Sequence, residues 1–128
     1  MSHWETVETQ VDDLDLLESA CKELGATVLR DAFARGWAGN QRRSDMVIRI
    51  PNGKYDLSVT KSEDGNHYVM DGDFFDRSLS KFFEKDGHKL GKILEMYSVH
   101  KAENLCRKKR KTWKRVVHPT HIDVEVYV

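Results

Sequence analysis

Three β-prone segments joined by two turn sequences constrain the fold of this chain more than any other feature. Residues 46–50 are mostly apolar and β-branched, and residues 55–60 alternate apolar with polar side chains. Pro51-Asn52-Gly53 lies between them, and Asp64-Gly65-Asn66 precedes a third segment, residues 67–73. Strands joined by such short turns pair antiparallel, because the chain reverses between them. The three segments therefore predict an antiparallel meander.

A helical pattern precedes the meander. Asp12 or Asp13 is a suitable N-cap, and Gly25 is a suitable residue to end a helix. Between them, apolar residues recur at spacings of three and four and share one helical face: Leu14, Leu17, Cys21 and Leu24. We expect one amphipathic helix here, then a short strand at residues 27–30 and a loop over residues 31–44.

Two more helices are expected after the meander. The first is short, is capped by Ser78, ends near Gly87 and contains three apolar residues: Leu79, Phe82 and Phe83. The second starts near His88 and continues through Lys101 and Leu105. Its apolar face is formed by Leu90, Ile93, Leu94 and Tyr97.

Strands are also expected near both ends of the chain. Residues 4–11 are β-prone, and residues 122–128 alternate apolar with polar side chains. Pro119-Thr120 is the expected turn before the last strand, with residues 113–117 as its hairpin partner. The predicted fold class is α+β, a single antiparallel sheet of about five to six strands with two to three helices mainly on one face. Residues 1–128 are expected to form a single domain.

Charge is distributed very unevenly along the chain. The whole sequence contains 21 basic and 21 acidic residues, so it is formally neutral. Residues 101–115 hold eight of the basic residues and only one acid, Glu103. That segment carries +7 and the remainder carries −7. A compact positive segment attracts polyanions, and an acidic remainder discourages nonspecific association.

The basic segment is the first candidate site. Lysine and arginine neutralise phosphates and release condensed counterions, and a tryptophan among them can stack on a base. The candidate residues are Arg107, Lys108, Lys109, Arg110, Lys111, Trp113, Lys114 and Arg115. Two other interpretations remain open: cations that complement the dipole at a helix end, and cations paired with carboxylates of the same fold.

A second candidate site is the loop around residues 35–43. It combines two glycines, which let a ligand approach the backbone, with arginines that can fork onto phosphate or carboxylate. The candidate residues are Arg35, Trp37, Arg42 and Arg43. The alternative is a loop that only leads the chain into the meander.

The sequence contains none of the common catalytic or metal-binding motifs. Gly-x-Ser-x-Gly, His-Glu-x-x-His and the phosphate-binding loop are all absent. His118 and His121 are the only closely spaced histidines, and Pro119-Thr120 between them excludes a helical ligand pair. Neither Cys21 nor Cys106 has a histidine nearby in sequence. We expect a non-catalytic protein with no metal site and no cofactor.

The expected compartment is cytoplasmic or similarly reducing. Two cysteines are too few for a disulfide framework, and both are expected to be reduced. The N-terminal residues lack the basic and apolar regions of a secretory signal. No apolar run approaches the ~20 residues that span a bilayer, so no membrane partner is expected.

Several short motifs in a fixed order resemble a known family. They are Met1-Ser2-His3-Trp4, Leu14-x-x-Leu17-x-x-Ala20-x-x-x-Leu24-Gly25, Arg35-Gly36-Trp37-x-Gly39-x-Gln41-x-x-x-Asp45-x-Val47-Ile48, Tyr55-Asp56 and Tyr97-x-x-His100. The family consists of small proteins of unknown function from cyanobacteria, from plastid genomes (as a conserved hypothetical reading frame), and from other bacteria and phages. The likeness covers roughly residues 1–100 and, more loosely, the final strand. It implies a small α+β fold and no known enzymatic activity, and the family's members have an ordinary polar segment where this chain has its basic run.

Two residues of these motifs, Tyr97 and His100, suggest a third site. They are three positions apart and so share a helical face. If that face meets the first strand, His3, Tyr97 and His100 can line one pocket together with Asp56 or Arg35. The alternative is that Tyr97 packs in the core while His100 hydrogen-bonds a backbone carbonyl.

The sequence favours a binding role over catalysis. The leading hypothesis is a binding module that contacts RNA or DNA through the basic segment and the arginine-rich loop. The alternative is a protein–protein adaptor or inhibitor, phage-encoded and directed at a host protein, that uses a sheet edge or Trp37 and Trp113. A third hypothesis is a nucleotide or small-anion pocket around Tyr97 and His100.

Overall fold

A computed structural model describes residues 4–127 and has the α+β architecture that the sequence predicts. Its larger sheet has five antiparallel strands in the order β1-β5-β4-β3-β2. Their bounds are β1 Glu5–Glu8, β2 Thr27–Arg35, β3 Gln41–Arg49, β4 Asp56–Lys61 and β5 Tyr68–Gly72. A separate two-stranded sheet contains β6 Thr112–Val117 and β7 Ile122–Tyr127, and the helices are α1 Leu14–Glu23, α2 Ser78–Phe83 and α3 Gly91–Lys108.

The central meander is confirmed. β3 pairs with β4 and β4 with β5, both antiparallel, so that Ile48 lies opposite Leu57 and Val59 opposite Met70. These four side chains are fully buried. They form one core cluster with helical residues that include Leu17, Leu79, Phe83 and Ile93.

The prediction of a loop over residues 31–44 is wrong. β2 continues to Arg35, β3 begins at Gln41, and the two strands pair antiparallel along most of their length. Only residues 36–40 connect them. The side chains of β2 lack a clear apolar period, because this strand lies at the edge of the sheet and exposes much of its surface. Its pairing with β3 is made by backbone hydrogen bonds, which do not depend on that period.

Helix α1 has the ends that the sequence predicts. The Asp13 carboxylate accepts a hydrogen bond from the Leu16 backbone N–H at 3.0 Å, as an N-cap should. At the other end, Gly25 adopts φ +95°, its N–H donates to Lys22 O, and the Ala26 N–H donates to Cys21 O. This is the Schellman arrangement, in which the left-handed residue is usually glycine.

The other two helices begin close to, but not at, their predicted positions: α2 begins one residue earlier and α3 about three residues later. Ser78 is the first residue of α2 rather than its cap, and the Asp76 carboxylate accepts hydrogen bonds from its N–H and hydroxyl. Helix α3 begins at Gly91, because Lys85 and His88 form an isolated antiparallel bridge just before it. As predicted, α3 continues through Lys101 and Leu105 into the basic segment. Among the described residues no helix is both long and apolar enough to cross a bilayer.

The C-terminal hairpin is the main departure from a single sheet. β6 and β7 pair with each other as predicted, but they do not join the five-stranded sheet. Instead Ile122 and Val124 of β7 pack against the core and line a groove with Val99 and Ala102 of α3. The hairpin therefore lies on α3, and the basic segment forms the connection between helix and hairpin.

Candidate functional site

The basic segment contains the end of α3, a tight turn and most of β6. At the helix end the Arg110 N–H donates to Arg107 O at 3.1 Å, and the Lys111 N–H donates to Cys106 O at 2.9 Å. Arg110 adopts φ +54°. This is the same Schellman arrangement that ends α1, with arginine in the position that glycine occupies there. The backbone of the turn is thus fixed by its own hydrogen bonds.

Five consecutive cations occupy this turn, and we call residues 107–111 the basic turn. All five residues are exposed: Arg107, Lys108, Lys109, Arg110 and Lys111. Within residues 4–127, none of the five forms an ion pair with a carboxylate. The basic turn therefore presents a compact charge of +5 to solvent.

Trp113 is half-buried and is engaged by two neighbouring side chains. The Arg107 guanidinium lies 5.3 Å from the ring centroid, in a cation–π contact. The indole Nε1–H donates to Glu103 Oε2 at 3.2 Å. Trp113 is half-buried and holds the start of β6 against α3, so its role in this conformation is structural.

Arg115 is an internal cation rather than part of the exposed set. Its guanidinium donates two hydrogen bonds to Glu103 of α3, at 2.8 and 3.2 Å, and a further short one to Glu23 of α1. Its side chain is 27% exposed, and that of Glu103 is 13% exposed. His100 Nε2 contacts the other oxygen of Glu23 at 2.7 Å. The cluster links α1, α3 and β6.

The carboxylates of this cluster are held in their charged form. Burial raises the pKa of Glu103, but hydrogen bonds from Arg115 and Trp113 outweigh it and leave the pKa below its ordinary value. The hydrogen bond from Arg115 likewise lowers the pKa of Glu23. The bonds to Glu103 and Glu23 raise the pKa of Arg115.

The remaining two cations of the basic segment have surface partners. Lys101 Nζ lies 3.2 Å from Asp12 Oδ1, and Lys114 Nζ lies 3.8 Å from Glu125 Oε2. Both pairs are about half-exposed, so each contributes little stability and exchanges readily with solvent. The alternative interpretation, in which the cations pair with carboxylates of the same fold, is therefore correct for Arg115. For Lys101 and Lys114 it applies only in the form of loose surface pairs.

The arginines of the second candidate site are mostly committed to the fold. Arg35 and Arg49 both bind Asp56, whose side chain is fully buried, at 2.9–3.2 Å. Burial raises the pKa of Asp56, but the hydrogen bonds from the two arginines more than compensate and lower it overall. Arg42 pairs with the nearly buried Asp71 at 3.1 Å. Arg43 is the most exposed of the site's three arginines, and its partner Asp31 is itself exposed.

The connection over residues 36–40 is closely packed at its base. A Cβ on Gly36 would lie 2.7 Å from Cζ2 of Trp4, so only glycine allows the indole to sit there. Arg42 stacks on the same ring, 4.7 Å from its centroid. Trp37 at the tip is 44% exposed. Arg35 and Arg42 are thus engaged in contacts within the fold, while Trp37 stays exposed; ligand binding by this loop stays a prediction.

The structure does not assemble the predicted pocket. His3 lies outside the described residues. The Tyr97 hydroxyl donates to Asp12 Oδ1 at 2.9 Å and accepts from the Asp12 N–H, while His100 binds Glu23 and Asp56 binds two arginines. Tyr97 is buried in the core, as the alternative interpretation states. The hydrogen bond from the Tyr97 hydroxyl is the largest cause of a lowered pKa for Asp12, and the hydrogen bond from Lys101 is the next.

Neither cysteine is suited to nucleophilic chemistry. Cys21 and Cys106 are both free thiols and both buried. Burial raises the pKa of Cys21 to about 12, which keeps the thiol protonated and unreactive.

One cluster was missed by reasoning from the sequence. His118, His121 and Asp123 gather at the turn of the C-terminal hairpin, with candidate ligand atoms within 4.8 Å of one another. The prediction of no metal site rests partly on the lack of helical spacing between the two histidines. The relevant signal was instead the two-residue loop, which places His118 opposite His121 across the hairpin.

No family model, curated protein or solved structure matches this chain. The site is therefore interpreted from its own geometry.

The cluster around Arg115 predicts a pH-dependent loss of stability when it is broken. Replacing Arg115 with Met should lower the free energy of unfolding by roughly 1–2 kcal/mol at pH 7, between the values for exposed and buried ion pairs. Because the Glu103 and Glu23 pKa values lie below the ordinary 4.5, this contribution is present above that pH and is lost as pH falls through the folded-state values. Urea denaturation at pH 7 and at successively lower pH measures the difference in free energy of unfolding between wild type and Arg115→Met. This difference should narrow below about pH 4.5.

The matched control is Lys114→Met, which removes a cation from the same strand but only a loose, exposed ion pair. It should cost less than about 0.5 kcal/mol at either pH. Two results would contradict a stabilising role of the Arg115 cluster. One is an equal loss of unfolding free energy in the two variants, and the other is a loss for Arg115→Met that does not change with pH.

Proposed function

We propose that this protein is a non-catalytic binding module that contacts a phosphate-rich partner, RNA or DNA, through its basic turn. The observation that carries the proposal is the set of five exposed, consecutive cations with no carboxylate partner among residues 4–127. Each lysine or arginine that meets a phosphate releases condensed counterions, and the gain in free energy does not depend on base sequence. The other three cations of the basic segment pair with carboxylates, whereas these five have no carboxylate partner among residues 4–127, and Arg107 also contacts the Trp113 ring.

The rigidity of the turn supports the same proposal. The backbone is fixed by two Schellman hydrogen bonds at its start and by the pairing of β6 with β7 directly after it. A preordered backbone loses less conformational entropy on binding than a disordered basic tail does. The turn is therefore suited to persistent contact with a polyanion rather than to transient attraction alone.

The chemistry of the surface favours backbone contact over base recognition. Phosphate contacts position a protein on nucleic acid, whereas base-edge contacts supply sequence preference. The nearest aromatic residue, Trp113, is engaged by Arg107 and Glu103. We therefore expect binding with little sequence preference and a strong dependence on salt.

Arg110 provides an independent argument. A residue with a Cβ pays about 1 kcal/mol to occupy the left-handed region, and the equivalent position of α1 is glycine. Glycine would be more stable than arginine at position 110, and the presence of Arg110 there is explained if its charge serves binding. Backbone strain at a functional surface is a recognised exchange of stability for activity.

A second candidate function, protein–protein contact, is favoured by the open edge of the larger sheet. β2 is an edge strand of nine residues, and Phe33 on it is 55% exposed, with Trp37 exposed just beyond. A partner strand can add to such an edge. An apolar complex of that kind persists at raised salt, which separates it from polyanion binding.

The leading proposal predicts how salt affects binding. Changing Lys108, Lys109 and Arg110 together to Gln should weaken binding to a labelled duplex DNA or single-stranded RNA of about 20 nucleotides. The slope of log affinity against log salt concentration should become less negative by about 2–3, since each lost duplex phosphate contact removes about 0.9. Fluorescence anisotropy at a series of NaCl concentrations measures both quantities.

A charge-matched control is available elsewhere on the surface. Lys54, Lys81 and Lys92 are exposed, and changing all three to Gln alters net charge equally. The control should retain the wild-type slope. If both triple variants lose equal affinity for the nucleic-acid probes, only overall charge matters and the basic turn is not the contact surface. If the wild type binds neither probe at low salt, the proposal is wrong.

Arg110→Gly should move stability and binding in opposite directions. Relief of the left-handed strain should raise the free energy of unfolding by up to about 1 kcal/mol, partly offset by the greater entropy of glycine in the unfolded chain. Loss of one cation should weaken polyanion binding and lower the salt slope by about 1. Urea denaturation and anisotropy on the same preparation measure the two effects, and an unchanged affinity would exclude Arg110 from the contact surface.

A further inference from the structure

The hairpin between β6 and β7 brings three potential ligand residues to one face. Val117 pairs with Ile122, and the His118 N–H donates to His121 O at 2.8 Å, so the two histidines lie opposite each other beside the turn. Asp123, the second residue of β7, follows two residues after His121, which directly precedes that strand. Side chains two apart on a strand share a face, so all three residues lie on the same side of the hairpin.

The three side chains converge on a small volume. The imidazoles stack with their centroids 4.4 Å apart and their planes inclined by 21°. His118 Nε2 lies 2.9 Å from Asp123 Oδ2, and His121 Nε2 lies 3.4 Å from Asp123 Oδ1. Ligand atoms around a tetrahedral zinc ion are about 3.4 Å apart. The two imidazole–carboxylate distances are close to that spacing, and all the candidate ligand atoms lie within 4.8 Å of one another.

A neighbouring hydroxyl contacts the His121 ring nitrogen that does not face Asp123. Thr120 Oγ1 lies 2.9 Å from His121 Nδ1. The hydroxyl can accept a hydrogen bond from Nδ1–H or donate one to Nδ1; in the tautomer with hydrogen on Nδ1, Nε2 keeps its lone pair for a cation. Metal-binding histidines commonly have such a hydrogen bond on the ring nitrogen that does not bind the metal.

We propose that His118, His121 and Asp123 form a binding site for a divalent first-row transition metal, with Zn²⁺ as its ion. Two imidazole nitrogens and one carboxylate oxygen are a ligand set typical of such metals. A single carboxylate provides too few oxygens for Ca²⁺ or Mg²⁺. Three protein ligands leave a position open to water or to a ligand from another molecule.

The site is independent of the basic turn. The turn precedes β6 and the three ligands follow it, so six strand residues, about 20 Å, separate the two. Metal binding would fasten the free end of the hairpin, whereas the cluster around Arg115 anchors its middle. The inference therefore does not depend on the proposed polyanion function.

Titration of the full, tag-free chain with CoCl₂ and ZnCl₂ tests the site. Co²⁺ should produce visible d–d absorption that one equivalent of Zn²⁺ abolishes, and Zn²⁺ should raise the unfolding temperature. His121→Ala and Asp123→Asn should each weaken Co²⁺ affinity by about tenfold or more. His88→Ala, which removes a histidine elsewhere, should leave the affinity unchanged.

The readouts separate a site from nonspecific binding. Circular dichroism of each variant without metal establishes that its fold is intact, because His121 lies on the surface. The proposal is overturned if the wild type shows no Co²⁺ absorption at micromolar protein with a small excess of metal. It is equally overturned if His121→Ala and Asp123→Asn bind as tightly as wild type, or if His88→Ala weakens binding as much as they do.

Discussion

The attachment of the C-terminal hairpin to the helices centres on one half-buried guanidinium. Arg115 of β6 binds Glu103 of α3 and Glu23 of α1, and His100 completes the set through Glu23. The hairpin shares no backbone pairing with the larger sheet, so its position depends on this cluster and on the packing of its inner face against α3. The position of the basic turn follows, because it is bounded by α3 on one side and by β6 on the other.

The same cationic chemistry has two different uses in this chain. Where a buried or half-buried carboxylate lies within reach, an arginine becomes part of the fold, as for Arg35 with Asp56 and Arg42 with Asp71. Desolvation makes such a pair costly to break, so these side chains are not free to meet a ligand. The residues of the basic turn face solvent instead, and their attraction for anions is not satisfied internally. The functional surface is therefore smaller than the full set of cations in the sequence.

Much of the fold was predictable because local signals agreed with tertiary packing. The Asp13 cap, the Gly25 stop and the alternation in the meander and the last strand all correspond to real elements. The second half of β2 and the start of β3 were not predictable, since their side chains are mixed and backbone pairing alone defines them. Nor were the partners of the cations, because Arg115 and Glu23 are 92 residues apart in sequence. The exposure of the basic turn was expected, but its separation from Arg115 required the three-dimensional arrangement.

Chemical-shift mapping of the backbone amides tests most directly whether the basic turn is the contact surface for a polyanion. Titration of isotope-labelled protein with a short duplex DNA at low salt should perturb residues 107–111 and their immediate neighbours. Amides of residues 36–40 and of the five-stranded sheet should change little. Perturbations centred on the Trp37 loop or on the β2 edge, with residues 107–111 unaffected, would contradict the account.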